Sequence, residues 1–180
     1  CAKRNVAVSE SKEVVMPEEE RASAETEPPA YEPFVIPNTS FKPSKWIDFE
    51  VNRELMWQTV VGLQLPEYQD VTFWCTAGSI VAEYSEEKEE MILGMPILNV
   101  YLADLTGDDL PEFCETVKIG SGVIDTRVVV YDYAAKKSFD LEDRFYYDYS
   151  LFLENGNLMV SQSKYPLLEN EVIATGQLAI

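Results

Sequence analysis

The chain has 180 residues, of which 46% are hydrophobic, and this is enough for one folded domain with a buried core and a tail. Its formal net charge of −18 makes nucleic acid and anionic membrane surfaces unfavourable direct partners, since both carry phosphate groups. The sequence contains no histidine, which excludes Ser-His and Cys-His nucleophile pairs and removes the commonest zinc ligand.

Residues 1–43 differ in composition from the rest of the chain. They contain six of the ten prolines and none of the eight glycines, and they are rich in glutamate. Such a segment has too little apolar surface to offset the entropy lost on ordering, so we predict a disordered acidic, Pro-rich tether. Among its apolar residues, Tyr31, Phe34, Val35 and Ile36 are expected to be the first to contact the domain.

Cys1 indicates how the tether is held. A chain that begins with cysteine is typical of mature bacterial lipoproteins, in which this residue carries the lipid. The sequence has no apolar run of about 18 residues that could cross a bilayer as a helix, so the lipid on Cys1 would be the membrane attachment. We therefore expect an extracytoplasmic protein anchored to the outer face of the bacterial cell membrane, unless Cys1 is only where this chain begins.

Residues 44–180 are predicted to form a single β-rich domain. Near its start, Asn52 is a candidate N-cap for a short helix over 52–61, and Pro66 ends this segment. Short runs rich in β-branched and aromatic residues follow, separated by turn residues. The predicted strands are 71–75, 79–84, 91–93, 97–103, 112–119, 126–133, 138–141, 146–153, 158–162 and 171–180.

The turns between these strands favour antiparallel pairing. Residues 85–90 are predicted as a charged turn, and residues 120–122 (Gly-Ser-Gly) as a flexible turn. Asn155-Gly156 is the strongest short hairpin signal in the chain. Strands do not alternate with helices, as they would in a parallel sheet. We therefore predict an all-β fold of antiparallel strands, arranged as a meander, a sandwich or a propeller-like sheet.

The loop over 104–112 is the strongest chemical feature of the sequence. Oxygen-bearing side chains stand at its positions 1, 3, 5 and 9, and a backbone carbonyl at position 7 can turn inward. This spacing can surround a hard cation. The predicted calcium ligands are Asp104, Thr106, Asp108, Leu110 and Glu112. The alternative is an acidic hairpin turn closed by hydrogen bonds from Asp104 and Asp108 to the backbone.

Two residues set the backbone of this loop. Gly107 allows the sharp bend. Position 6 of the loop is Asp109, where calcium loops usually have a glycine with positive φ. Aspartate tolerates that conformation better than most residues, at a cost of about 1 kcal/mol.

The loop also carries a family resemblance. Residues 104–112, Asp-Leu-Thr-Gly-Asp-x-Leu-Pro-Glu between two strands, resemble the calcium-loop signature of FG-GAP/VCBS-type β-repeat proteins. The wider pattern is similar to an extracellular domain of Gram-positive gut bacteria, which occurs in lipoproteins and at the C-terminus of membrane metallopeptidase-like antibiotic-sensing receptors. That pattern comprises 65–68 (Leu-Pro-Glu-Tyr), 94–96 (Gly-Met-Pro), 120–125 (Gly-Ser-Gly-Val-Ile-Asp), 130–133 (Val-Tyr-Asp-Tyr) and 147–149 (Tyr-Asp-Tyr).

The resemblance covers about 46–180 and implies a cell-surface location and an all-β fold. It implies no particular ligand or activity. Members of that family usually have glycine at the position of Asp109, and this difference bears on the metal.

Tyrosines and cysteines each allow two interpretations. The tyrosines 131, 133, 146, 147 and 149 could form an exposed row that stacks on sugar rings, but strand alternation favours placing Tyr147 and Tyr149 in the core. Cys75 and Cys114 could pair outside the cell, or be buried free thiols that pack as small hydrophobic groups.

We expect a non-enzymatic binding or sensing module of the cell surface, with a structural calcium ion and a protein or glycan as its ligand. The first alternative is a carbohydrate-binding protein that uses exposed tyrosines, and the second is a purely structural or interaction domain. A hydrolase would need two facing carboxylates, for which the acidic run 140–143 is the candidate, and a solvated turn is the simpler interpretation of that run.

Overall fold

The structure is a computed structural model that describes residues 34–35, 42–165 and 171–180. Cys1 and the predicted tether up to residue 33 lie outside the described residues. The described part forms 13 β-strands, numbered β1 to β13 in chain order, and three short 3-10 helices. The all-β prediction is confirmed, and the strands form three sheets.

The first sheet contains five strands in the order β1-β3-β4-β5-β6. Its strands are β1 (Phe34–Val35), β3 (Val61–Gln64), β4 (Val71–Cys75), β5 (Ser79–Tyr84) and β6 (Glu87–Leu93). All neighbours pair antiparallel except β1, which lies parallel to β3 with Phe34 opposite Leu63.

The central sheet also contains five strands, in the order β10-β9-β8-β7-β2. Its strands are β2 (Ser44–Asp48), β7 (Ile97–Ala103), β8 (Glu112–Ile119), β9 (Asp125–Asp132) and β10 (Lys137–Leu141). All of its pairs are antiparallel.

The third sheet is an antiparallel set of three strands in the order β11-β12-β13. Its strands are β11 (Tyr147–Glu154), β12 (Asn157–Lys164) and β13 (Val172–Gln177). Asn155 and Gly156 join β11 to β12 with φ of 52° and 80°, the positive values that a two-residue hairpin turn requires. The predicted Asn-Gly hairpin is therefore present.

The middle strands of the central sheet, β7, β8 and β9, are buried on both faces. All seven residues of β7 are buried. In β8 the alternate residues Phe113 and Val117 belong to a core shared with the first sheet, whereas Cys114 belongs to a core shared with the third sheet. In the first core, the rings of Phe73 and Phe113 lie 4.7 Å apart. The fold is thus a three-layer sandwich, and the described residues form no propeller or closed barrel.

The segment predicted as a helix over 52–61 forms shorter elements instead. Two 3-10 helices span Phe49–Asn52 and Met56–Gln58, and a third spans Pro66–Tyr68. Asp48, not Asn52, caps the first of them, because its Oδ1 accepts the Glu50 N–H at 3.1 Å. The predicted helix was wrong over 59–61 because the β-branched residues there favour extended backbone, and Val61 already begins β3.

Two other boundaries differ from the predictions. Residues 85–90 are not a charged turn as a whole, since only Ser85 and Glu86 turn and β6 begins at Glu87. Charged side chains are compatible with this strand because β6 is a sheet edge that faces water. Strand β1 lies upstream of residue 44, and its backbone pairs with β3.

Candidate metal centre

The loop between β7 and β8 is organised by its own carboxylates. Asp104 accepts the Gly107 N–H with Oδ1 at 2.6 Å and the Asp109 N–H with Oδ2 at 3.2 Å. Asp108 accepts the Leu110 N–H with Oδ1 at 3.0 Å. Gly107 and Asp109 both have positive φ, 78° and 64°. Asp109 therefore adopts the left-handed backbone that its loop position was predicted to require.

These turns bring three carboxylates together. Oxygen atoms of Asp104, Asp108 and Glu112 all lie within 4.8 Å of one another. Asp104 is half-buried, Asp108 is exposed, and Glu112, the first residue of β8, is 1% exposed. The site is therefore open to solvent at one side and closed at the side of the sheet.

Glu112 is the most constrained of the three acids. Its Oε2 accepts the Leu105 N–H at 2.5 Å and its Oε1 accepts the Thr106 hydroxyl at 2.9 Å. Burial raises the pKa of this carboxyl, the two hydrogen bonds oppose the shift, and the negative charges of Asp132 and Asp104 add to it. A positive charge bound at the site would oppose this repulsion and lower the pKa of Glu112.

The other two predicted ligands are also engaged within the loop. Thr106 donates its hydroxyl to Glu112, and its oxygen keeps lone pairs that can still accept or coordinate. Leu110 contributes its N–H to Asp108. The structure thus shows a cluster of three of the five predicted ligands, Asp104, Asp108 and Glu112, and in the same loop the alternative feature, a turn closed by hydrogen bonds to Asp104 and Asp108.

Two further polar side chains, those of Asp132 and Tyr68, face this loop and were not predicted from the sequence. Asp132, the last residue of β9, is buried, and its Oδ1 accepts the Ala135 N–H at 2.8 Å. Tyr68 lies in the third 3-10 helix, and its enclosed hydroxyl has no hydrogen-bond partner among the described residues. Burial, followed by the charges of Asp132, Asp108 and Glu112, raises the pKa of Tyr68 far above its usual range. The signal that could have found Asp132 is a carboxylate that directly follows the apolar run 128–131 at the end of β9.

The acidic cluster forms no ion pair with a basic side chain of the described residues. None of the ion pairs within the described residues involves Asp104, Asp108, Glu112 or Asp132. Buried or half-buried carboxylates without a cationic partner are electrostatically unfavourable, and a divalent cation relieves this cost. Oxygen-only ligands of this kind suit a hard ion such as Ca²⁺.

The remaining candidate residues lie away from this loop. Tyr149 is buried in the second core, Tyr147 packs against it, and Tyr131 and Tyr133 pack against the first core, whereas Tyr146 is exposed. These tyrosines therefore do not form one exposed row.

The cysteines and the acidic run 140–143 offer no second site. Cys75 and Cys114 are buried free thiols in different cores. In the acidic run, Glu142 pairs with Arg127, and Asp140 is exposed on β10. Cys1, the predicted lipid anchor, lies outside the described residues, within which no helix is long and apolar enough to span a bilayer.

Comparison with known proteins adds no relative: no protein-family model, curated protein or solved structure matches this chain.

Proposed function

We propose that this protein is a non-enzymatic binding or sensing module of the bacterial cell surface, and that its 104–112 loop holds a structural calcium ion. The single observation that carries the calcium site is the convergence of Asp104, Asp108 and Glu112 within 4.8 Å. The cell-surface role rests on the acidic Pro-rich segment 1–43 and on the resemblance to an extracellular domain of lipoproteins.

The arrangement favours calcium over magnesium. Calcium accepts six to eight oxygen ligands in flexible geometry, whereas magnesium requires a near-ideal octahedron and keeps most of its water. Here three carboxylates of unequal exposure share one loop with the Thr106 hydroxyl, and the open side at Asp108 admits water as a further ligand. An affinity in the range of extracellular calcium modules, with Kd of about 0.1–1 mM, is expected from so few protein ligands.

The ion would have a structural role. Asp104 is the first residue after β7, and Glu112 is the first residue of β8. One ion bound to both would therefore join two adjacent strands of the central sheet at their loop end. Asp132 on β9 and Tyr68 beside the first sheet face the same charge. Calcium would therefore stiffen the end of the sandwich where two sheets meet.

A non-enzymatic role agrees with the chemistry of the described residues. The two buried thiols have pKa values raised well above the usual range by burial, so they are poor nucleophiles. The carbohydrate-binding alternative needs several aromatic faces exposed in one plane, and four of the five tyrosines pack against the two cores instead.

Thermal unfolding with calcium and with chelator tests the site. A ligand that binds only the folded state at about 100 times its Kd adds about 2.7 kcal/mol of stability, which raises Tm by roughly 5–10 °C in a domain of this size. The Asp108→Asn variant should lose most of this shift, because the amide keeps the turn but supplies no charge. Asp109→Asn is the matched control, since it removes one charge from the same loop, tolerates positive φ and should retain the shift.

The pH dependence of the calcium shift gives a second readout. Because the pKa of Glu112 is raised, protons compete for this ligand at higher pH than they would for an ordinary glutamate. The calcium-induced rise in Tm should therefore shrink as pH falls through the raised pKa. A Tm that does not change with millimolar calcium at neutral pH would refute the metal site.

A further inference from the structure

Strand β13 is a sheet edge without charge. Its six residues, Val-Ile-Ala-Thr-Gly-Gln, are all exposed, and no described strand pairs with its outer side. Apart from the two-residue β1, each of the other edge strands in the described ranges carries at least two charged side chains; these strands are β2, β6, β10 and β11. Charges on an edge normally discourage pairing with a further strand. In a chain with net charge −18, an uncharged edge is therefore an exception.

The inner face of β13 is built from small residues. Gly176 lies opposite Val160 of β12, and Val160 is buried in the second core, so Gly176 faces the central sheet. Ala174, two residues earlier, lies on the same face opposite Gln162. A Cβ added at Gly176 would meet no atom within 4 Å. These two positions therefore leave open space between the third sheet and the central sheet.

That space is a groove between the edges of two sheets. A cavity of about 300 Å³ extends from Ala174 and Gly176 to Leu141 of β10. A second cavity of about 230 Å³ shares Leu141 and Leu178 with the first and continues to Phe139. Apart from Asp140, the side chains that line the two cavities are uncharged. The groove can thus accept apolar side chains beside the second half of β13, from Ala174 to Gln177.

We propose that β13 and this groove bind an extended peptide segment of a partner protein. The segment adds as a strand beside β13, alternate apolar side chains enter the groove, and lysine or arginine residues flank the strand. The backbone groups at the outer edge of β13 supply the hydrogen bonds, as in other domains that bind peptides by strand addition. The basic flanks follow from the net charge of −18 on the receiving chain, which attracts a cationic ligand.

A second copy of this chain fits the edge less well. Two chains of net charge −18 repel each other, and a six-residue strand is about 20 Å long. Pairing two such strands alone buries less than the roughly 1,000 Å² expected of a stable interface. The inference goes beyond the calcium site and does not depend on it, because none of the residues that line the groove belongs to the 104–112 loop.

The test uses the full chain and a fluorescent synthetic peptide in which valine alternates with threonine and lysine pairs flank both ends. Fluorescence anisotropy should detect binding that weakens as salt is raised, and a peptide with glutamate flanks should bind more weakly. Hydrogen exchange should show new protection of the β13 amides when the lysine-flanked peptide is present.

Two variants of β13 locate the site. Gly176→Val fills the groove without strain, because Gly176 has no positive φ and has open space around it, and it should weaken peptide binding at least about tenfold. Ile173→Val is the matched control, because Ile173 lies in the same strand but lines neither cavity, and it should leave the affinity within about twofold. Circular dichroism checks that both variants fold.

Three results would overturn the proposal. The first is no binding of the lysine-flanked peptide, or binding that Gly176→Val leaves unchanged. The second is protection of the β13 amides in the free protein that rises with protein concentration, which would assign the edge to a second copy. The third is protection in the free protein that is independent of concentration, which would assign the edge to another segment of the same chain.

Discussion

Glu115 has a buried carboxyl group without the hydrogen bonds that would offset the free-energy cost of burying it. It lies in the middle of β8 with 0% exposure, between its cross-strand neighbours Val100 and Val129. Neither of its carboxyl oxygens has a hydrogen-bond partner among the described residues. Burial raises the pKa of this carboxyl well above its usual range, so the folded state favours the neutral acid. The other titratable group of the first core near it is the Cys75 thiol, itself shifted toward the neutral form.

This burial predicts an unusual pH dependence of stability. The unfolded chain releases the Glu115 proton above a pKa of about 4.3, while the folded chain keeps it. The stability contributed by Glu115 is therefore fully present below that pH and is lost as pH rises toward the folded pKa, by up to about 1.4 kcal/mol per pH unit. Glu112 and Asp148, whose pKa values are also raised mainly by burial, contribute with the same sign.

Glu115→Met isolates the contribution of Glu115. Methionine has a similar volume, carries no titratable group and leaves no unpaired polar atom, so the variant should be more stable at pH 7 and its stability should change less with pH. Urea unfolding of both proteins between pH 4.5 and 7.5 measures the difference. Equal pH slopes for the two proteins would show that Glu115 does not change its protonation on unfolding.

At the scale of elements, the two glycines of the third sheet make a controlled pair. Gly156 has φ of 80° in the hairpin turn, whereas Gly176 lies in β13 without a positive φ, and an added Cβ at either position meets nothing within 4 Å. The stability changes expected for the two alanine substitutions therefore differ because of backbone conformation. Gly156→Ala should therefore cost about 1 kcal/mol, and Gly176→Ala should gain about 0.4–1 kcal/mol. Urea midpoints measure both, and a loss of equal size in the two variants would contradict this account.

Local sequence predicted most strands well. The strands Val71–Cys75, Ser79–Tyr84, Ile97–Ala103 and Glu112–Ile119 have the predicted bounds. These segments combine β-branched or aromatic residues with clear turn residues at both ends, and such signals are local. The helix over 52–61 was wrong because the β-branched residues at 59–61 favour extended backbone, and the charged turn over 85–90 was wrong because pairing of β6 with β5 overrode local preference.

Only those residues of the candidate site that are close together in the chain could be predicted from the sequence. Asp104, Asp108 and Glu112 share one loop, so their spacing indicated that they could converge. Asp132 and Tyr68 reach the same loop through packing of β9 and of the third 3-10 helix, which no short-range pattern encodes. The buried carboxyl of Glu115 was missed for the same reason, because a glutamate within a strand is expected to face water.

At the scale of the whole molecule, the central sheet separates two cores. Strand β2 pairs with β7, about 50 residues away in the chain, and this long-range pairing places the central sheet between the other two. Sequence alone predicted the class of fold but not this layering, because the order of distant strands depends on which faces are buried together. The largely apolar run of β7 (Ile-Leu-Asn-Val-Tyr-Leu-Ala) was the one available signal.

The layering predicts that the two internal cysteines are unpaired. Cys75 lies in the first core and Cys114 in the second, on opposite sides of the central sheet. In a Cys1→Ser variant unfolded without reductant, an alkylating reagent should modify two thiols, as mass spectrometry would detect. A protein that takes up no label until it is reduced would contain the disulfide and would contradict the arrangement of the cores.

The central claim is that one calcium ion lies among Asp104, Asp108 and Glu112, and calcium-soaked crystals test it most directly. We predict an anomalous difference peak about 2.3–2.6 Å from oxygens of all three side chains, which Asp108→Asn weakens and Asp109→Asn retains. Calcium-soaked crystals without a peak there, with the three carboxylates bonded only to the loop's own N–H and hydroxyl groups, would contradict the claim and identify the loop as a hydrogen-bonded acidic turn.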